Sequence, residues 1–147
     1  LPQNYLLDDL MTKDLNYTST VPKDADIETI RVGIEASKML TIIDAGQTAV
    51  VKDGSVISLE GVEGTDKTIQ RAYDLAGKNC IIVKSARPKQ DNRIDIPTIG
   101  LDTIKKIVEI NAKGIVIEAD KMLFLDQDEV ISYANKNKIF IKGMKYD

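Results

Sequence analysis

A chain of 147 residues has room for one ordinary domain, and its make-up of 43% hydrophobic and 29% charged residues is globular, neither disordered nor membrane-spanning. Against 23 Asp and Glu stand 20 Lys and Arg, and the net charge of −3 leaves no basic footprint for nucleic acid. Histidine is absent, which excludes Ser-His-Asp and Cys-His arrangements and His-bearing zinc sites within the chain.

The single cysteine, Cys80, can build neither a Cys₄ site nor an internal disulfide, which fits a reducing compartment. It precedes Ile81-Ile82-Val83, so we expect a buried small side chain rather than a nucleophile. Chemistry is left to carboxylates, Lys, Arg, hydroxyls, backbone groups or an oxygen-bound metal. Apolar runs are short, Met122–Leu125 among the longest, far below the ~20 residues that cross a bilayer. Leu1-Pro2-Gln3-Asn4 carries no signal-peptide pattern and does not start with Met. The chain reads as a fragment of a longer protein, cut on its N-terminal side.

In chain order, residues 1–22 are polar and turn-rich and read as a linker or arm; a single domain is expected over 23–147. Asp24 or Asp26 opens a helix ending near Ile42, with Ile27, Ile30, Ile34 and Met39 or Leu40 at helical spacing. Ala49–Lys52 and Ser55–Leu59 flank Asp53-Gly54, the signature of a type I′ hairpin. A second helix is expected from Asp66 to about Ala76, with Ile69, Ala72, Tyr73 and Ala76 inward and Gly77 as its stop. Cys80–Lys84 reads as a buried strand, Ser85–Asn92 as a polar, basic loop and Arg93–Ile96 as a second short strand. A third helix should span about Leu101 to Ala112, its inward residues Leu101, Ile104, Ile107 and Val108, with Gly114 as stop. Strands follow at Ile115–Ile117 and Met122–Leu125. Asp126 with Glu129 suggests a capping box for a fourth helix through about Lys136, and Ile139–Ile141 closes the chain. The alternation predicts an α/β fold: a mixed sheet with an early β-hairpin and about four helices packed on it.

Three loops carry polar residues that folding alone does not require: Asp44–Thr48, Glu63–Asp66 and Arg93–Gly100. The last two lie at expected helix N-termini, which offer unpaired N–H groups and partial positive charge to a phosphate. Glu63, Asp66 and Asp95 would repel that phosphate unless a hard cation lay between them, which is the physical motive for a metal. Plainer roles are available: Thr65 or Asp66 suits an N-cap, Thr98 and Asp102 suit a first turn, and Lys84, Arg87, Lys89 and Arg93 suit a solvated basic stretch. Asp95 lies between Ile94 and Ile96, so strand alternation puts it on the opposite face from both.

The ordered motifs Gly46-Gln47-Thr48-Ala49-Val50-Val51-Lys52-Asp53-Gly54, Glu63-Gly64-Thr65-Asp66, Lys84, and Arg93-Ile94-Asp95-Ile96-Pro97-Thr98-Ile99-Gly100 resemble the C-terminal domain of the LpxI family. Gly114–Ala119 and Asp126 fit the same pattern, and the similarity runs from about residue 24 to Gly143. The resemblance implies hydrolysis of UDP-2,3-diacylglucosamine to UMP and 2,3-diacylglucosamine 1-phosphate, with Mg²⁺ or Mn²⁺ as cofactor. It implies Asp95 as the essential carboxylate, which would bind the metal or orient the attacking water; Glu63 and Asp66 match the family's acidic loop and are candidate metal ligands beside it. Gly46, Gln47, Thr48, Gly64, Thr65, Lys84, Arg93, Thr98 and Gly100 would hold substrate. Its implied partners are the UDP-diacyl sugar, an N-terminal domain not contained in this sequence, weakly the inner membrane surface, and a second copy in a homodimer. A cytoplasmic enzyme follows, peripheral at that membrane. The competing reading is a non-catalytic module that binds a nucleotide-sugar, an acyl phosphate or a partner protein.

Overall fold

The computed structural model describes residues 9–88 and 97–147. Helices α1 (Ile27–Ile42), α2 (Thr65–Ala76), α3 (Leu101–Glu109) and α4 (Gln127–Lys136) are interleaved with strands β1 (Thr48–Lys52), β2 (Ser55–Leu59), β3 (Ile81–Lys84), β4 (Thr98–Ile99), β5 (Gly114–Glu118), β6 (Leu123–Phe124) and β7 (Phe140–Met144). Five strands form a mixed sheet in the order β2-β1-β3-β5-β7, and β4 and β6 form a separate parallel pair. β1 runs antiparallel to both β2 and β3, whereas β3, β5 and β7 are parallel. The expected α/β fold is thus the one observed. Asp53 and Gly54 both have positive φ (49° and 80°), as a type I′ turn requires.

Alternation along the central strands divides the core between two layers. Val50, Ile82, Ile115, Ile117 and Ile141 pack against Ile69 and Ala72 of α2, Ile104 and Ile107 of α3, and Val130 and Ala134 of α4. Val51, Ile81, Val83, Val116 and Phe140 face the other way, toward Ile30 of α1 and Tyr146. Among the described residues no helix is long and apolar enough to cross a membrane. Residues 11–18 lie along the sheet: the Tyr17 and Gly143 amides donate to the Ile141 and Leu15 carbonyls, both at 2.9 Å, and Tyr17 stands edge-on to Phe124.

Several expectations need correction. In α1, Ile27 and Met39 are exposed (63% and 61%), while Thr29, Gly33, Ser37 and Thr41 are buried. The helix lies so close to the sheet that a Cβ on Gly33 would run into Val83, so small residues line the contact and the bulky ones are displaced to its flanks. Tyr73 is likewise exposed on α2. Gly114 does not stop α3; it is the first residue of β5. The helix ends at Glu109 and passes into a Schellman turn, where Asn111 (φ 55°) occupies the left-handed position and the Ala112 amide reaches the Ile107 carbonyl at 3.1 Å. Asp126 forms no capping box, because it is itself left-handed (φ 52°) and its side chain makes no cap hydrogen bond. Ser85 and Ala86, expected in an exposed loop, are buried. The expected strand at 93–96 lies outside the described residues.

Candidate functional site

The antiparallel pairing of β1 with β3 sets Thr48, the first residue of β1, opposite Lys84, the last of β3. β2 ends on the same side, since Leu59 pairs with Ala49, and there the chain turns through residues 60–64 into α2. The α1–β1 loop, the β2–α2 turn and the exit of β3 therefore meet at the C-terminal edge of the parallel strands, the usual place for ligands in open α/β sheets.

Hydrogen bonds tie these segments together. Lys84 Nζ donates to Thr65 Oγ1 at 3.1 Å, and Thr65 Oγ1 donates to Glu60 Oε2 at 3.2 Å with Thr48 Oγ1 3.4 Å away. Glu60 Oε1 accepts the Gln47 amide at 2.9 Å, while the Glu60 amide donates to the Thr48 carbonyl at 2.9 Å. Gln47 Nε2 reaches the Ser85 carbonyl at 3.3 Å, and the Ser85 amide returns to the Gln47 carbonyl at 2.9 Å. A Cβ on Gly46 would press on the Glu60 carbonyl, so this crossing needs glycine. Behind the site, Tyr146 Oη donates to the Lys84 carbonyl at 2.6 Å, and Glu118 accepts the Ala86 amide at 2.9 Å.

Lys84 is only 8% exposed, and no carboxylate among the described residues lies within 4.0 Å of its ammonium. Burial lowers its pKa from the ordinary lysine range, opposed first by the charge of Glu60 and then by that of Asp66. The start of α2 is open as well: Gly64 (φ 89°) is its N-cap and supplies no side chain to the free amides.

The expected residues sort as follows. Gly46, Gln47, Thr48, Thr65 and Lys84 come together, with Gly64 opening the helix beside them. Asp66 is exposed in the first turn of α2, and its charge is felt at Lys84. Glu63 turns to Arg71 (3.2 Å) and to the Gly61 amide, which, with Arg71, holds its carboxyl below the usual range. Thr98 is exposed on β4 and Gly100 N-caps α3; among the described residues no hydrogen bond links either to the Lys84 cluster. Arg87 pairs with Asp44 at 3.4 Å on the surface. Arg93 and Asp95 lie outside the described residues. Cys80 is buried and its thiol is pushed up by burial, as expected of a core residue. Among the described residues no three acidic side chains gather as a metal site, while Asp66 supplies the oxygen donor that a hard cation prefers.

Sequence reasoning missed Glu60, which stands at the centre of the network. The signal was the doubled Glu-Gly of Glu60-Gly61 and Glu63-Gly64, of which only the second was read. A hollow of about 480 Å³ lies at the opposite end of the sheet between Asn79, Asn111 and Lys138. Helix C-termini surround it with partial negative charge, set against the positive charges of Lys78 and Lys138 in its lining.

The family model for the LpxI C-terminal domain matches residues 13–142. The chain belongs to the LpxI C-terminal domain family. It is 31% identical over 131 residues, 84% of its length, to a UDP-2,3-diacylglucosamine pyrophosphatase LpxI of Caulobacter vibrioides. The match covers 47% of that relative, so the chain spans about half the length of the curated LpxI protein. The Lys84 cluster lies wholly within the matched LpxI segment.

Proposed function

We propose that this domain binds the pyrophosphate of UDP-2,3-diacylglucosamine at the C-terminal edge of its sheet. Within an enzyme of which it forms about half, it contributes to hydrolysis of that bond to UMP and 2,3-diacylglucosamine 1-phosphate. The observation that carries the reading is the buried Lys84 ammonium, held by a neutral hydroxyl beside the uncapped start of α2. A buried cation without a direct carboxylate is costly, and an anionic ligand at that edge offsets the cost. The matching relative's name supplies the substrate class.

In this reading Lys84, the α2 amides and Arg93 offset charge on the phosphoryl oxygens, and the Gln47 loop borders the sugar-phosphate. Asp66 and Asp95 would hold Mg²⁺ or Mn²⁺; Glu63, engaged by Arg71, would join them only after releasing that partner. The bound cation supplies charge neutralisation at the phosphate. Asp95 would hold the cation or orient the attacking water. A UDP-linked substrate places the reaction in the cytoplasm, and its acyl chains bring it to the inner membrane surface.

Replacing Asp95 by Ala in the enzyme that carries both halves is expected to reduce hydrolysis by about a hundredfold or more at saturating Mg²⁺. Undiminished turnover removes Asp95 from the mechanism. The arrest of Glu63 by Arg71 favours, as a second reading, a module that binds phosphate without chemistry. A Mn²⁺ titration with substrate present that perturbs nothing near Asp66 selects that alternative.

A further inference from the structure

One side chain that neither the motifs nor the comparisons assign joins the segments of the candidate site, bonded directly to the α1–β1 loop and to the exit of β3 through Thr65. Glu60 leaves β2 at the edge where the three segments meet, and both carboxylate oxygens and its amide are engaged: Oε1 by the Gln47 amide, Oε2 by the Thr65 hydroxyl, and its own amide by the Thr48 carbonyl. Gly46 yields the space that Glu60 occupies. Thr65 relays between the two charges, accepting from Lys84 Nζ and donating to Glu60. A carboxylate placed one hydroxyl away from a buried ammonium stabilises its charge without quenching it in a direct pair.

We propose that Glu60 is a positioning residue: through Thr65 it holds the Lys84 ammonium at the strand edge, and through the Gln47 amide it holds the loop that faces it. This rests on the phosphate-binding reading above and adds to it the group that keeps the lysine ready. Among the described residues the charged groups that act on Lys84 are Glu60 from the β2–α2 turn and Asp66 from α2, with Tyr146 of the C-terminal tail at its carbonyl. Asp66 and Tyr146 are untouched in the variants that follow, so a change in Lys84 belongs to the relay.

The test follows the Lys84 side-chain carbon by NMR through an alkaline titration, in the wild type, Glu60→Gln, Thr65→Val and Thr65→Ser. Calorimetry with UMP and Mg²⁺ reads affinity on the same samples. Glu60→Gln is expected to lower the Lys84 midpoint by about one pH unit, a tenfold change in proton affinity, and to weaken UMP about tenfold. Thr65→Val, which keeps every charge, shifts both in the same direction by less, and Thr65→Ser restores wild-type values. It also keeps the test open if Glu60→Gln fails to fold. A Glu60→Gln protein that melts lower but leaves the Lys84 midpoint in place has lost only structure, and the proposal falls. A wild type that ignores UMP while Glu60→Gln still moves the midpoint upholds the positioning role and overturns the phosphate reading instead.

Discussion

On the proposed reading, Lys84→Met in the enzyme that carries both halves is expected to abolish most hydrolysis while leaving the domain as stable as before or more so. The lysine carries its charge into a site that is 8% exposed, where the ammonium's one hydrogen-bond partner among the described residues is the Thr65 hydroxyl. Because no carboxylate pairs directly with the ammonium among the described residues, its removal leaves no ion-pair partner behind and relieves the cost of burying the charge, by about 1–3 kcal/mol. Loss of a positioned charge from a developing phosphoryl anion costs about a hundredfold in rate or more. Thermal denaturation and turnover, measured on one preparation, check both halves of the expectation. A variant that loses activity only because it unfolds would point to a structural lysine.

The wild type should show the same opposition on the alkaline side. The native pKa of Lys84 is lowered, so the folded chain sheds this proton before the unfolded chain does. Between the lowered value and the ordinary one near ~10.4, the unfolded state binds more protons, and this group's contribution to stability rises with pH. Its penalty is fully present below the lowered value. Binding of phosphate moves the other way, because the ammonium disappears over the same window. On that reading, hydrolysis by the enzyme that carries both halves is expected to fall where the lysine's own cost to the fold is relieved, and Lys84→Met removes both dependences.

Gly114→Ala should cost about 3 kcal/mol or more, among the largest losses of any single methyl in the domain. Gly114 opens β5 between Ile81 of β3 and Phe140 of β7, both in register with it. A Cβ there would collide with the Phe140 carbonyl and ring, and neither can yield, since Phe140 is 2% exposed and the Phe140 amide is bound to the Lys113 carbonyl at 3.1 Å. Denaturant titration should show the midpoint falling with little change in slope. An Ala variant of unaltered midpoint would mean that the two strands are spaced more widely than described.

The helix ends explain where sequence reasoning worked and where it did not. Asp53-Gly54 announced the hairpin because a two-residue turn leaves little choice of residue. Three helices instead end on Asp44, Asn111 and Lys138, each with positive φ, and in each Schellman turn the next amide reaches back five residues. Glycine usually marks that position, so a search for glycine passed over Asn111 and settled on Gly114. The apolar stripe of α1 misled for a related reason: Gly33 and Ser37 carry the closest contact with the sheet, and apolar periodicity is blind to small residues.

The candidate site was legible where spacing had a chemical motive. Gln47, Thr65 and Lys84 were singled out from separate loops and converge through hydrogen bonds. Glu60 was not, because its role depends on an antiparallel register that sets Thr48 opposite Lys84, a relation between strands that no local pattern carries.

Amide chemical shifts of the ¹⁵N-labelled chain, titrated with UMP and Mg²⁺, test the central claim most directly. The account predicts that the largest changes fall on Gln47, Thr65, Asp66, Lys84 and Ser85. Changes confined to Asn79, Asn111 and Lys138, around the hollow at the far end of the sheet, would contradict it.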